Sequence, residues 1–198
     1  MTCIVGVVDK DTNDVYIGGD SAGTTDAFSL TILKTPKVFK RGPFIFGCCG
    51  SFRHLQLLQY DNQLNDLRTQ EKDEEDFSYL VNVFIKRVIK LYEKGGKIVD
   101  DCGTKTGGFF LLGYNGNLYE VEDDFSIIQS VNSYDACGCA EDLALGSLHT
   151  SERLTSLSPI QKIELALETA EKFNAAVKGP FNIVKLEYIN KDGQKIEE

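Results

Sequence analysis

Short apolar segments separated by turn residues characterise the first fifty positions. Cys3 to Val8 is apolar and rich in β-branched residues, the polar segment Asp9 to Asp14 follows, and Val15 to Gly19 is apolar again. This order of strand, turn and strand predicts a β-hairpin. The small and polar residues from Gly18 to Thr25 predict a loop. Two more strands are predicted further on, at Lys37 to Phe39 and Phe44 to Cys48.

Helical periodicity replaces this pattern after Gly50. It predicts a helix from Phe52 to Leu64 and a longer one from Phe77 to Tyr92, which Gly95-Gly96 end. The apolar positions of the longer helix are Phe77, Leu80, Val81, Phe84, Val88, Leu91 and Tyr92. The acidic segment Gln70 to Asp76 is either a linker or a charged first helical turn, since carboxylates suit the positive end of the helix dipole.

The second half repeats the order of strands followed by helices. Asn115-Gly116 is typical of a tight hairpin turn, and Ser158-Pro159 forms a good start for a helix that we expect to reach Val177. A shorter helix is expected from about Ala140. The predicted strands are Gly107 to Tyr114, Gly116 to Glu122, Phe125 to Gln129 and Asn182 to Ile189.

Separate blocks of strands and helices favour an α+β fold over an alternating parallel sheet. Two sheets flanked by pairs of helices, a four-layer αββα sandwich, would account for every predicted element. The chain has 198 residues, which fits one domain over positions 1–198.

Charge and composition exclude several classes of protein. The chain carries 21 Lys and Arg against 30 Asp and Glu, a net charge of −9, which disfavours binding to nucleic acid or to an anionic membrane. It has no apolar run of about 20 residues that could span a bilayer. The N-terminus does not have the pattern of a signal peptide, so we expect a cytoplasmic protein with free thiols. The 6 Cys and 2 His lack zinc-site spacing, and we expect no metal and no cofactor.

Thr2 is the first candidate for chemistry. If Met1 is removed, Thr2 carries a hydroxyl nucleophile and a free α-amine on one residue. That amine has an ordinary pKa of about 7.7–8.0, close to what a general base needs. A threonine activated by its own amine is one form of covalent catalysis, although many proteins begin with Met-Thr for no catalytic reason.

Several short motifs occur with Thr2 in a fixed order. They are Thr2-Cys-Ile-Val-Gly-Val, Gly18-Gly-Asp20-Ser, Lys37-Val-Phe, Phe46-Gly-Cys-Cys-Gly50-Ser and Ala136-Cys-Gly138-Cys139-Ala140. In this order they resemble proteasome β-type subunits and their bacterial relative HslV, of the N-terminal nucleophile hydrolase superfamily. The resemblance covers about residues 2–60 and 134–190, and it implies the αββα sandwich of that superfamily.

The resemblance implies a role for each matched residue. Thr2 matches the nucleophile, Asp20 the loop aspartate and Lys37 the lysine, with Lys34 as its nearest rival. A cation at Lys37 would lower the pKa of the Thr2 amine and favour its basic form, while Asp20 would pair with that cation. Gly50 matches the turn that offers a backbone N–H to an oxyanion.

Three positions depart from the family pattern. Cys139 stands where the family has a serine, and a thiol is a weak hydrogen-bond donor. Asn174 and Val177 stand where proteasome subunits place an aspartate and a serine. Outside these motifs, His54 and His149 have no supporting motif for a dyad, and residues 65–108 have no functional interpretation beyond their helix.

The resemblance implies a threonine peptidase that hydrolyses peptides or unfolded proteins inside a homo-oligomeric ring, with a separate ATPase as a possible partner. Two alternatives stay open. The chain could be an inactive scaffold subunit, which Cys139 and Asn174 favour and which Thr2, Asp20 and Lys37 oppose. It could also be an amidase of the same superfamily that acts on a small amide.

Overall fold

The computed structural model describes residues 2–24, 29–96, 98–101, 104–154, 156–190 and 195. Its strands are β1 (Cys3–Val8), β2 (Val15–Gly19), β3 (Ala22–Thr24), β4 (Leu30–Ile32), β5 (Val38–Arg41), β6 (Phe44–Cys48), β7 (Val99–Asp101), β8 (Thr104–Thr106), β9 (Phe110–Tyr114), β10 (Asn117–Val121), β11 (Ile127–Ile128), β12 (Tyr134–Gly138) and β13 (Asn182–Leu186). Its α-helices are α1 (Phe52–Tyr60), α2 (Asp76–Tyr79), α3 (Ile85–Lys94), α4 (Glu141–Ser151) and α5 (Pro159–Phe173).

Two antiparallel sheets form the centre of the molecule. One has four strands in the order β12-β1-β2-β13, and the other has five in the order β11-β10-β9-β6-β5. In the four-stranded sheet Cys3 lies opposite Gly138, and Ile4 lies opposite Gly19. This register brings the first residues of the chain between the ends of two neighbouring strands.

The two sheets pack face to face through an apolar core that both supply. Ile4 and Ile17 of one sheet and Ile45 and Leu111 of the other belong to this core and are fully buried. The sheets approach closely at Gly47, where an added Cβ would lie 2.3 Å from Cγ2 of Ile4. A glycine is therefore needed at that position for the two sheets to meet.

Helices cover the outer face of each sheet. Helices α4 and α5 share a core with β1 and β12, and α1 and α3 share another with β6 and β9. Ser158 starts α5 with a full capping box, in which its hydroxyl accepts from the N–H of Gln161. The predicted α+β sandwich of four layers is confirmed, as is the start of this helix.

Some elements differ from the sequence-based expectation. Strand β12 was not predicted, because Asp135 and Gly138 interrupt its apolar pattern and its pairing with β1 decides its conformation. The segment Gly18 to Thr25, predicted as a loop, contains the end of β2 and strand β3, which pairs with β4. The strand predicted from Phe125 to Gln129 is reduced to Ile127–Ile128.

The helices also differ at their ends. The first ends at Tyr60 rather than Leu64, where the Arg41 guanidinium binds the carbonyls of Leu58 and Asp61. The long periodic helix begins at Asp76 and contains a π-helical segment, Leu80–Phe84, before α3, so most of the acidic segment before it is a connection. The last helix ends at Phe173, and Val177 is buried beyond its end.

Across the described residues, no helix is both long enough and apolar enough to cross a membrane.

Candidate active site

Three of the predicted site residues meet at the ends of three strands. Thr2 directly precedes β1, Asp20 directly follows β2, and Lys37 directly precedes β5. Because β1 and β2 are neighbours and β5 belongs to the facing sheet, the three side chains converge at one edge of the sandwich. Residues 35 positions apart in sequence are thereby brought into contact.

The Lys37 ammonium connects the other two side chains. Its Nζ lies 2.8 Å from Oδ1 of Asp20 and donates a 3.0 Å hydrogen bond to Oγ1 of Thr2. Lys37 is 1% exposed, Asp20 0% and Thr2 4%. A buried lysine is stable only when it is paired and hydrogen-bonded, and here both conditions are met. The rival Lys34 is exposed.

The carboxylate of Asp20 is fixed from several sides. Its Oδ1 also accepts the N–H of Cys3 at 3.0 Å, and its Oδ2 accepts the N–H of Ala22 at 2.9 Å. A third backbone N–H, from Lys178 beyond α5, lies 3.5 Å from Oδ2. These donors offset the cost of burying the charge and hold the oxygen that binds Lys37 in one position.

The backbone of Thr2 is held by the end of β12. The Thr2 carbonyl accepts a 2.9 Å hydrogen bond from the N–H of Cys139. Gly138 packs beside that carbonyl with φ at +107°, and an added Cβ there would lie 2.2 Å from the Thr2 oxygen. Only glycine combines this conformation with so close an approach.

Two of the three departures from the family pattern, Cys139 and Asn174, are hydrogen-bonded to each other. The Asn174 amide donates a 3.0 Å hydrogen bond to the Cys139 carbonyl, and the Cys139 thiol is exposed. The link between Cys139 and Thr2 thus runs through a backbone N–H, which does not depend on the side chain at position 139. Sequence reasoning missed this contribution of Asn174, because the two residues are 35 positions apart and no local motif joins them.

Gly50 lies in the turn between β6 and α1, with φ at +76°. Among the described residues other than its two chain neighbours, no atom lies within 4 Å of the position where a Cβ would be. Gly50 is exposed and follows Cys49, whose Sγ lies 3.3 Å from the position of a Cβ on Gly138. The turn therefore borders Gly138 and the Thr2 carbonyl, and a substrate can approach the backbone at Gly50 without meeting a side chain.

Cys3 lies next to Thr2 and is fully buried. Burial raises the pKa of its thiol, and the nearby Asp20 carboxylate raises that pKa further. Because the thiolate is the nucleophilic form, Cys3 is poorly suited to act as a nucleophile. Cys3 is therefore a poor rival to the neighbouring Thr2 hydroxyl for the role of nucleophile.

The two histidines take part in other contacts. His54, on α1, stacks on Tyr92 with ring centroids 4.4 Å apart. His149, on α4, lies 3.0 Å from the hydroxyl of Tyr134 through Nδ1. Among the described residues, no group of three or more His, Cys, Asp or Glu side chains is arranged to hold a metal ion.

Comparison with known proteins gives a likeness of fold. No protein-family model matches the sequence, and no curated protein matches it significantly. BPH from Thiobacillus denitrificans, in a complex with epoxomicin, matches with a TM-score of 0.77 at 13% identity, over 96% of this chain and 100% of BPH. HslV from Trypanosoma brucei matches with a TM-score of 0.69 at 15% identity, over 94% of this chain and 100% of HslV. The Gly-1 mutant of Anbu from Hyphomicrobium sp. strain MC1 matches with a TM-score of 0.64 at 11% identity, over 99% of this chain and 87% of Anbu.

These neighbours are N-terminal nucleophile hydrolases of the proteasome type. The chain therefore has the fold of HslV and the proteasome subunits, as the sequence resemblance implied. At 11–15% identity the likeness defines the fold, and the chemistry has to be argued from the side chains.

Proposed function

We propose that this chain is a threonine peptidase in which Thr2, freed by removal of Met1, attacks the carbonyl carbon of a peptide bond. The observation that carries the proposal is the buried contact of Lys37 with both Thr2 Oγ1 and Asp20. A cation held 3.0 Å from a hydroxyl stabilises the negative charge that develops there as the proton leaves. Its own charge is balanced by Asp20.

The first half of the reaction forms an ester. The Thr2 hydroxyl gives its proton to the Thr2 α-amine while its oxygen bonds to the substrate carbonyl carbon. The carbon–nitrogen bond then breaks, and the leaving amine takes the proton from the α-amine. We assign the N–H of Gly50, in the turn that follows Cys49, as the donor to the oxyanion.

The second half restores the enzyme. Water replaces the departed amine and gives a proton to the Thr2 α-amine as its oxygen attacks the ester carbon. The ester bond breaks, the proton returns to Oγ1, and a carboxylic acid leaves. The hydrogen bond from Cys139 to the Thr2 carbonyl and the bond from Asn174 to Cys139 keep the nucleophile in place through both steps.

The fold of the neighbours also supports assembly into a closed homo-oligomeric ring. We propose that the chain acts in the cytoplasm on peptides or unfolded proteins inside such a ring, with an ATPase unfoldase as its partner. A head-to-tail interface generates a closed ring when the rotation between neighbouring subunits closes. Light scattering is expected to give a mass of six or more subunits, and a stable monomer at micromolar concentration would contradict the ring.

Hydrolysis of fluorogenic peptides tests the proposal. Intact mass should first show that Met1 is absent. Thr2→Ala should then abolish hydrolysis with the circular dichroism spectrum unchanged, whereas Thr150→Ala, the same change on the exposed side of α4, should have no effect. Lys37→Ala should lower the rate by about a hundredfold or more, and the double variant should be no worse than Thr2→Ala alone.

A blocked N-terminus tests the base. A tag retained before Thr2 should abolish hydrolysis, because it removes the free amine. Native activity with that tag would exclude the mechanism, and activity that survives Thr2→Ala would place the nucleophile elsewhere. Inactivity of the correctly processed chain with every peptide and ATPase tried would favour the scaffold, and cleavage of small amides alone would favour the amidase. Epoxomicin, which BPH binds, is a direct probe of the site by thermal shift.

A further inference from the structure

Two buried thiols face each other beside the candidate active site. Sγ of Cys49 and Sγ of Cys137 are 2.9 Å apart, and the two residues are 3% and 0% exposed. Both cysteines are free. The sulfur atoms need to approach by only about 0.9 Å to reach the roughly 2.05 Å length of a disulfide bond.

The two cysteines come from opposite sheets. Cys137 lies in β12, and Cys49 follows β6; both contribute to the core between the sheets. A bond between them would cross-link residues 88 positions apart and join the two halves of the sandwich at the edge that holds Thr2.

Each thiol also adjoins a backbone segment of the site. Cys49 precedes Gly50 and follows Cys48, whose N–H binds the Lys37 carbonyl at 2.9 Å. Cys137 precedes Gly138, which packs against the Thr2 carbonyl. A cross-link here would fix the turn at Gly50 relative to the end of β12.

We propose that Cys49 and Cys137 are a redox modification site, a dithiol that small peroxides convert into a disulfide. Cys49 reacts first, because it has slight exposure and adjoins the exposed Gly50. The Cys49 thiol gives up its proton, and its thiolate attacks one oxygen of hydrogen peroxide. The O–O bond breaks, a sulfenic acid forms, and the hydroxide that leaves takes up the proton as the first water. The Cys137 thiolate then attacks the Cys49 sulfur, the S–S bond forms, and hydroxide leaves and takes up a proton as the second water. The two thiols lose two electrons, and one hydrogen peroxide gains them.

The surroundings explain why the dithiol is the resting form. Burial raises the pKa of Cys137, and the hydrogen bond with Cys49 raises it further. The thiolate that must close the disulfide is therefore scarce near neutral pH, and oxidation should be faster at pH 9 than at pH 7.

Mass analysis of the full chain tests the proposal without using hydrolysis, so it can fail or succeed independently of the peptidase. The reduced protein is treated with hydrogen peroxide, denatured and alkylated with N-ethylmaleimide. Digestion without reduction should release a cross-linked peptide pair containing Cys49 and Cys137, about 2 Da lighter than the sum of its thiol forms. Because the cross-link closes a long loop, the Tm of the oxidised protein should rise by roughly 5–10 °C and return after dithiothreitol.

Three variants sharpen the result. Cys137→Ala should abolish the linked peptide, whereas Cys48→Ala should retain it, because Cys48 faces the other core, between its sheet and the helices. Cys139→Ser should also retain it and excludes the exposed thiol as a partner. If Cys137→Ala does not fold, the peptide map of the oxidised wild-type chain still shows whether Cys49 and Cys137 are linked. Full alkylation of both thiols after peroxide, a link to another cysteine, or sulfinic acid at Cys49 without a link would each overturn the proposal.

Discussion

The amide of Asn174 donates a hydrogen bond to the carbonyl oxygen of Cys139, 3.0 Å away. The other amide atom, Oδ1, accepts the N–H of Ala176 at 2.9 Å. Cys139 in turn donates its N–H to Thr2. One side chain at the end of α5 thereby stabilises both the turn after the helix and the backbone that holds Thr2.

An aspartate at position 174 should be worse than the native asparagine. Asn174→Asp keeps the acceptor for Ala176 but removes the donor, and it turns a carboxylate towards the Cys139 carbonyl. A lost hydrogen bond of this kind costs about 1–2 kcal/mol, so we expect that drop in unfolding free energy, measured in urea, and a fivefold to tenfold lower rate of peptide hydrolysis. Asn132→Asp, at an exposed loop position, is the matched control. A gain in activity would show that the family's carboxylate is preferred here.

Gly138 should not tolerate even a methyl group. In Gly138→Ala the new Cβ would meet the Thr2 carbonyl oxygen at 2.2 Å, and relieving that contact would disturb the pairing of β1 with β12. We expect a loss of about 2–4 kcal/mol in unfolding free energy together with loss of hydrolysis. Gly42→Ala provides the control, because Gly42 also has a positive φ, +56°, but faces open space; it should cost only about 1 kcal/mol. Equal losses of unfolding free energy in the two variants would mean that the contact with the Thr2 carbonyl does not contribute to the effect of Gly138→Ala.

Elements with strong local signals were predictable from the sequence. The hairpin of β1 and β2 follows from two apolar segments around a polar turn, and α5 follows from its apolar face together with Ser158-Pro159. The π-helical segment Leu80–Phe84 was not, because it keeps the apolar spacing of an ordinary helix. Strand β12 has no such signal, since its partner β1 lies more than a hundred positions away.

The candidate site was predictable only in part. Thr2 is a candidate from its own chemistry, but the choice of Asp20 and Lys37 came from the resemblance, since no periodicity brings positions 17 apart together. The bond from Asn174 to Cys139 and the approach of Cys49 to Cys137 depend on how the layers meet. Such contacts join distant parts of the chain, and no local pattern predicts them.

The ion pair of Asp20 and Lys37 should matter for folding as well as for chemistry. Asp20→Ala leaves a buried ammonium without its counter-ion, which should cost about 3–5 kcal/mol of unfolding free energy. Adding Lys37→Met removes that charge, so the double variant should recover part of the loss. The control is Glu93→Ala, which breaks an exposed ion pair: the side chain of Glu93 is 38% accessible and that of its partner Lys105 is 43% accessible. This change should lower the unfolding free energy by less than about 1 kcal/mol. Urea unfolding gives all four values, and a double variant no more stable than Asp20→Ala would contradict the argument.

Glu120 on β10 should make stability depend on pH. Burial, together with the nearby carboxylates of Asp135, Glu122 and Glu141, raises its pKa to about 7. In the unfolded chain a glutamate has a pKa of about 4.3. Between these two values the native state holds a proton that the unfolded state has lost.

Stability from this group should therefore fall as the pH rises from about 4.5 to about 7 and stay level above that, because the unfolded state binds fewer protons in this window. Glu120 is half-buried, so solvent screening reduces the penalty at pH 8 to about 1–2 kcal/mol. Glu120→Gln cannot ionise and should equal the wild type near pH 4.5 but exceed its unfolding free energy by that amount at pH 8. Glu164→Gln, an exposed change on α5, should stay within about 0.5 kcal/mol of the wild type at both values. Urea titrations at the two pH values measure the unfolding free energies. If the difference between the wild type and Glu120→Gln does not change with pH, Glu120 is already ionised in the native state at pH 4.5.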